Sequence, residues 1–169
     1  MRWALLLMLP FVIGAAPVPG SWPLTPAGWG PVRIGMTRAQ VAKALGARLS
    51  GAAIESVDRC VEQSARGSAY AGVIFMFEDR RLTRISAGSS SRVRTPSGIR
   101  VGATAAQVRR AYGRKLHAEP HKYLAPPAEY LTYWTAPNKR GVRFETSERR
   151  RVERIHAGGA SIQYVEGCA

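Results

Sequence analysis

The feature that most constrains this chain is a phrase that occurs twice. Arg33-Ile34-Gly35-Met36-Thr37-Arg38-Ala39-Gln40-Val41-Ala42-Lys43-Ala44-Leu45-Gly46 returns as Arg100-Val101-Gly102-Ala103-Thr104-Ala105-Ala106-Gln107-Val108-Arg109-Arg110-Ala111-Tyr112-Gly113, at a constant offset of 67. Each copy reads as a short strand, a tight turn and a helix. Thr37 and Thr104 stand where an N-cap belongs, and Gln40 and Gln107 follow three residues later, which spells a capping box. Gly46 and Gly113 occupy the position of a left-handed helix stop. A match of this length, with both helix ends agreeing, predicts a duplicated module.

The second half of the unit repeats as well. Gly72-Val73-Ile74-Phe75 corresponds to Gly141-Val142-Arg143-Phe144, and Arg80 to Gly88 corresponds to Arg150 to Gly158. The offset drifts only from 67 to 70, so the second copy has gained about three residues in its loops. In the first copy, strands are expected near Val57–Gln63, Ala71–Glu78 and Leu82–Ser86, with a hairpin turn at Glu78–Arg81. In the second, Tyr130–Trp134 reads as the counterpart of the strand that holds Cys60. Pro17–Pro31 reads as an extended lead-in, Ala47–Ser56 as a loose segment, Ser86–Gly98 as a linker and Leu116–Glu129 as a Pro-punctuated loop. Ile162–Val165 reads as a last strand delivering Cys168.

The predicted fold is therefore α+β: two tandem modules, each a short helix packed on a three- to four-stranded antiparallel sheet, joined into one larger open sheet. A helix this short cannot bury its apolar stripe (Val41, Ala44, Leu45; Val108, Ala111, Tyr112) alone and should lie across its own meander. The expected division is 1–20 as a leader, 21–88 as the first module with its lead-in, 89–97 as linker and 98–169 as the second module.

Met1-Arg2, the apolar run Trp3–Ile13 broken only by Pro10, and the small residues Gly14-Ala15-Ala16 have the layout of a secretory signal peptide. Cleavage fits after Ala15 or after Gly20, and the run is short for a bilayer span. The chain is thus expected to be exported, periplasmic or secreted, with no membrane span after cleavage. Cys60 and Cys168 both belong to the exported part, and an isolated pair in an oxidising compartment is expected to be bridged. The formal charge is +14, carried almost wholly by arginine. Such a chain suits nucleic acid, anionic lipid, lipopolysaccharide or an acidic protein face. Charge alone does not choose among these, because a GC-rich coding sequence tends to produce the same Ala-, Arg-, Gly- and Pro-rich composition.

No catalytic constellation emerges. Ser89-Ser90-Ser91 lacks a nucleophile elbow, the glycines lack the setting of a phosphate loop, and the carboxylates are spread singly. His117 and His121 sit four apart without a third ligand, so neither a metal nor a cofactor is expected. The informative pattern is strand alternation. If Val142 and Phe144 face the helix, Arg143 and Glu145 face away. The same logic places Ile74, Met76, Arg84, Arg154 and His156 on the outer face, with Tyr130 and Trp134 the favoured outer pair of their strand. Aromatics, Met and Arg together on one sheet face resemble the core of a protein interface. The candidate partner-binding residues are Tyr130, Trp134, Arg143, Arg154, His156, Met76 and Arg84.

The phrase Ile-Gly-Met-Thr-x-x-x-Val-x-x-x-Leu-Gly leading into a three-stranded meander resembles the repeat of the beta-lactamase inhibitory proteins and the small outer-membrane assembly lipoproteins of the SmpA/OmlA type. The resemblance covers roughly residues 31–88 and 98–158. It implies a concave sheet that grips a partner protein. The expected function is a non-enzymatic, exported binding protein engaging another protein, in one form by inhibiting an exported enzyme. The alternative is a binder of an anionic envelope polymer or glycan that uses the Arg-rich face.

Overall fold

Thr37 and Thr104 cap their helices as the sequence requires. In the computed structural model, which describes residues 19–50, 59–136 and 139–168, each threonine side chain accepts from the backbone N–H of the following glutamine. Each glutamine reaches back to the threonine N–H at 2.8 Å. The helices are α1 (Arg38–Leu45) and α2 (Ala105–Tyr112). Gly46 ends α1 in the left-handed conformation (φ 62°, ψ 26°). Gly113 also has positive φ, but with ψ −144° it turns the chain into a short 3-10 segment, so its helix ends without the expected left-handed cap. The leader up to residue 18 lies outside the described residues, as does most of the loose segment after Ser50.

The structure is α+β, with two antiparallel sheets. The large one comprises β4 (Leu49–Ser50), β5 (Cys60–Ala65), β6 (Val73–Glu78), β7 (Arg81–Ala87), β8 (Leu116–Pro120), β9 (Glu129–Ala136), β10 (Arg140–Thr146) and β11 (Val152–Gly158). Its strand order is β4-β5-β6-β7-β11-β10-β9-β8. Helix followed by four strands thus occurs twice, and the two sets meet edge to edge at β7 and β11. Corresponding contacts occur in both halves. Gly35 N–H donates to Leu82 O and Leu82 N–H to Met36 O; Gly102 N–H donates to Val152 O and Val152 N–H to Ala103 O. The Arg81 and Arg151 guanidiniums bond the Gly35 and Gly102 carbonyls. A bulge interrupts both final hairpins, between Met76 and Phe77 and between Glu145 and Thr146.

Both helices pack on one face of this sheet. Val41, Leu45, Ala105 and Val108 join Val73, Phe75, Phe77, Leu82, Ile85, Leu131, Phe144 and Ile155 in one core. Burial of each such large apolar side chain contributes about 1.5–3 kcal/mol. Ala111 leaves the predicted stripe and is exposed, whereas Tyr112 packs its ring 5.0 Å from Tyr133 and 5.2 Å from Phe144.

Three segments differ from the sequence expectation. The lead-in folds into a second sheet of two-residue strands, β1 (Leu24–Thr25), β2 (Gly28–Trp29) and β3 (Val32–Arg33). It is held there because Leu24, Trp29 and Val32 are fully buried in the helix-side core. The Pro-punctuated loop begins with strand β8, an edge strand whose exposure gives it no hydrophobic alternation to read. The expected last strand is a 3-10 turn, Ala160–Gln163, and the chain beyond it pairs with no strand. The physical reason is Arg84, whose guanidinium takes the Ser161 and Tyr164 carbonyls at 3.0 Å each.

Cys60 and Cys168 form a disulfide across a sequence separation of 108. Closing a loop of that length contributes about 4–5 kcal/mol in the chain-entropy picture. The double variant Cys60→Ser/Cys168→Ser should therefore lose roughly that much stability in urea unfolding. A loss below about 1 kcal/mol would mean that the bond adds nothing to what the other contacts already hold.

Candidate protein-binding face

Strand register carries three rows of side chains across the face opposite the helices. One row runs Ser64, Ile74, Ser86, His156, Arg143, Thr132 and His117. A second runs Glu62, Met76, Arg84, Gly158, Gly141 and Trp134, and a third runs Arg154, Glu145, Tyr130 and Glu119. All seven candidate residues lie on these rows, so alternation assigned the face correctly.

Much of that face is covered. Met76, Arg84, Tyr130, Arg143 and His156 are buried, Trp134 is half-buried and only Arg154 is exposed. The expectation of an open surface at these positions is corrected by two segments that lie over it. The first is the strap formed by residues 159–168. Arg84 is 3 % exposed and pairs with Glu62 at 2.6 Å while holding the two strap carbonyls. Gly167 of the strap sits against the Glu62 carboxylate on the far side of Met76, so the strap passes over that methionine. Ile162 packs beside Trp134 in a slot that exists because position 141 is glycine: a Cβ there would lie 2.7 Å from the Trp134 ring and 3.1 Å from Ile162 Cδ1.

The second cover is the loop at residues 121–128. His121 stacks on Tyr130 (centroids 4.6 Å), and the Arg143 guanidinium carbon lies 4.0 Å from the centroid of the same Tyr130 ring. Arg143 also pairs with Glu119 at 3.1 Å, so its charge is met within the chain. The His121 Nδ1 accepts from the Tyr123 and Leu124 N–H groups at 3.1 Å each. Its proton is therefore on Nε2, which donates to Glu145 at 3.0 Å. His156 approaches the other Glu145 oxygen at 3.6 Å through Nε2, and its Nδ1 accepts from the Ser86 hydroxyl at 2.8 Å. The chain Ser86–His156–Glu145 has the residue types of a hydrolase triad, but the serine is buried within the sheet and out of reach of a substrate.

Sequence reasoning missed Glu62, Ser86 and His121 as members of this network. Ser86 and Glu62 were legible as outer-face positions once register is known, whereas His121 depends on the path of a loop. His117 sits on β8, exposed and apart from His121. Among the described residues, no helix is long and apolar enough to cross a membrane. Comparison with known protein families, with curated proteins and with solved structures finds no match.

Burial pushes the Glu145 pKa up, but hydrogen bonds from His156 and His121, with the Arg154 charge, outweigh it and hold it at about 2. Burial lowers the His156 pKa below its ordinary 6.5; the Glu145 hydrogen bond opposes this and the Arg84 charge reinforces it. In both cases the unfolded chain binds protons more readily than the folded one, so stability falls on acidification. The His156 contribution declines as pH drops below 6.5, and that of Glu145 as pH drops below 4.5 toward about 2. The melting temperature should accordingly decrease between about pH 7 and pH 5, and His156→Gln should flatten that decrease. A wild-type melting temperature that is constant over this range would contradict the buried, uncharged ring.

Proposed function

We propose that this is an exported, non-enzymatic binding protein that engages another protein through the strapped outer face of its large sheet. The single observation that carries the reading is the location of the exposed aromatic surface. Among the described residues, the exposed large apolar or aromatic side chains are Tyr123 and Tyr164, at 56 % and 46 %. They stand on the two segments that cover this face, and the Tyr123 hydroxyl bonds Glu166 of the strap. The Tyr164 hydroxyl faces the Glu78 carboxylate, whose hydrogen bonding and charge raise its pKa. Tyrosines held by one polar end, with the ring presented to solvent, supply rigid contact area at small entropic cost. Trp134, half-buried beside Ile162, and exposed Arg154 extend the same surface.

The bridged Cys60–Cys168 pair supports export. The matching caps, backbone clamps and bulges support descent of the two halves from one unit. This is also the arrangement that the resemblance to the beta-lactamase inhibitory proteins implies, and enzyme inhibition is the form of binding it favours.

The test is retention of a partner from periplasmic and secreted fractions of the source organism, at about 0.1 and about 0.5 M salt. A single protein retained at both salts is expected. Tyr164→Ala and Trp134→Ala should each weaken that complex by about 2 kcal/mol or more, as interface hot spots do. Capture only at low salt, of many acidic species, would sink the reading, as would affinity unchanged in both variants.

A further inference from the structure

A different surface carries positive charge that no ion pair among the described residues compensates. Residues 80–118 carry ten lysines and arginines and no aspartate or glutamate. Within this stretch, the linker and the turn leading into α2 border a cleft of about 670 Å³. Arg92, Arg94 and Arg100 line it, and Arg151 joins them from just before β11. Among the described residues, no carboxylate contributes to its wall. The two buried arginines of the fold behave differently: Arg84 and Arg143 each have a carboxylate within 3.1 Å. Arg92, Arg94, Arg100 and Arg151 enter no ion pair among the described residues.

The remaining polar groups of the wall also offer donors. The Ser91 hydroxyl accepts from Val93 N–H, which leaves its own hydrogen to donate. The Gln107 carbonyl oxygen is engaged by the cap of α2, which leaves its NH₂. The helix end itself contributes little, since Thr104 and Gln107 already satisfy its cap. One of the four arginines is pre-positioned: Arg151 Nη1 is fixed on Gly102 O at 2.9 Å. Its sequence counterpart in the first half, Arg81, makes the corresponding bond to Gly35 O. By contrast, Arg33, the counterpart of Arg100, is tied to the Gly30 and Val32 carbonyls, so only the second copy leaves the phrase's first arginine unengaged.

We infer that this cleft is a binding site for a multiply charged oxyanion, a ligand bearing two or more phosphate or sulfate groups. Guanidinium groups match such oxyanions with paired N–H donors. Like charges gathered in a concave wall focus the potential and raise the local concentration of anions. The volume exceeds what one phosphate fills and lies within the range of small-molecule sites. This site is separate from the strapped face, and the inference stands whether or not that face binds a protein.

The test is calorimetric titration with inorganic phosphate and with pyrophosphate, at about 0.05 and about 0.3 M salt. Pyrophosphate should bind more tightly than phosphate and weaken with salt. Arg94→Ala/Arg100→Ala should reduce pyrophosphate affinity by about tenfold or more. Arg110→Ala/Arg149→Ala removes equal charge from exposed positions outside the cleft and should change it by less than about threefold. All four side chains are exposed, so both variants should fold, which thermal unfolding checks. Absence of binding at millimolar pyrophosphate, or equal loss in the two variants, would overturn the inference. Cosedimentation with phosphatidylcholine vesicles, with and without cardiolipin, whose headgroup bears two phosphates, identifies the source. Binding to the charged vesicles that is lost in the cleft variant assigns a lipid headgroup, and pyrophosphate binding without vesicle binding assigns a soluble ligand.

Discussion

The arrangement of the outer face depends on one buried cation. Arg84 lies at the centre of the sheet, 3 % exposed, with Glu62 2.6 Å away and two backbone carbonyls at 3.0 Å. Removing a guanidinium from water costs several kcal/mol unless its charge and its N–H groups are matched. Burial pushes its pKa down, and the Glu62 hydrogen bond and charge oppose that shift. Glu62 supplies the charge, but the sheet offers no carbonyls on its face, because those are committed to the ladder. The strap supplies them. A segment that would otherwise read as a strand becomes a 3-10 turn whose carbonyls point to Arg84, and the disulfide fixes its far end to β5.

The same logic distributes charge over the molecule. Glu62, Glu119 and Glu145 stand on the outer rows, where each is matched to an arginine or histidine. No acid lies within residues 80–118, and of the arginines of α2 only Arg109 finds one, Glu129, among the described residues, so positive charge accumulates there. The strapped face is thus polar within and aromatic at its surface, while the linker side is cationic. These are two chemically distinct surfaces, suited to different ligands.

What was legible in the sequence followed from local periodicity and from the duplication. The capping phrases located both helices, and alternation along Val73–Phe77, Val142–Glu145, the strands of Ile85 and Ile155 and Tyr130–Trp134 assigned the candidate residues to the outer face. What was not legible is what lies on that face. Burial of Met76, His156 and Tyr130 depends on the paths of residues 121–128 and 159–168, which are set by contacts far away in sequence. Ile162–Val165 has the composition of a strand, but the Tyr164 carbonyl within it and the Ser161 carbonyl just before it are taken by Arg84, 80 and 77 positions earlier. Strands β1 to β3, at two residues each, are too short to show a period, and their burial comes from Trp29 reaching the shared core.

The claim on which the rest turns is that the strap closes the outer face over Met76, and peroxide oxidation of the methionines tests it most directly. Met76 is fully buried beneath the strap, whereas Met36 is partly exposed near the start of α1. In the native disulfide-bonded protein, Met76 should resist oxidation while Met36 reacts. With Cys60 and Cys168 both replaced by serine, Met76 should become more reactive as the strap loosens. Oxidation of Met76 as fast as Met36 in the native protein would contradict the account, because the outer face would then be open and Arg84 would lack the partners assigned to it.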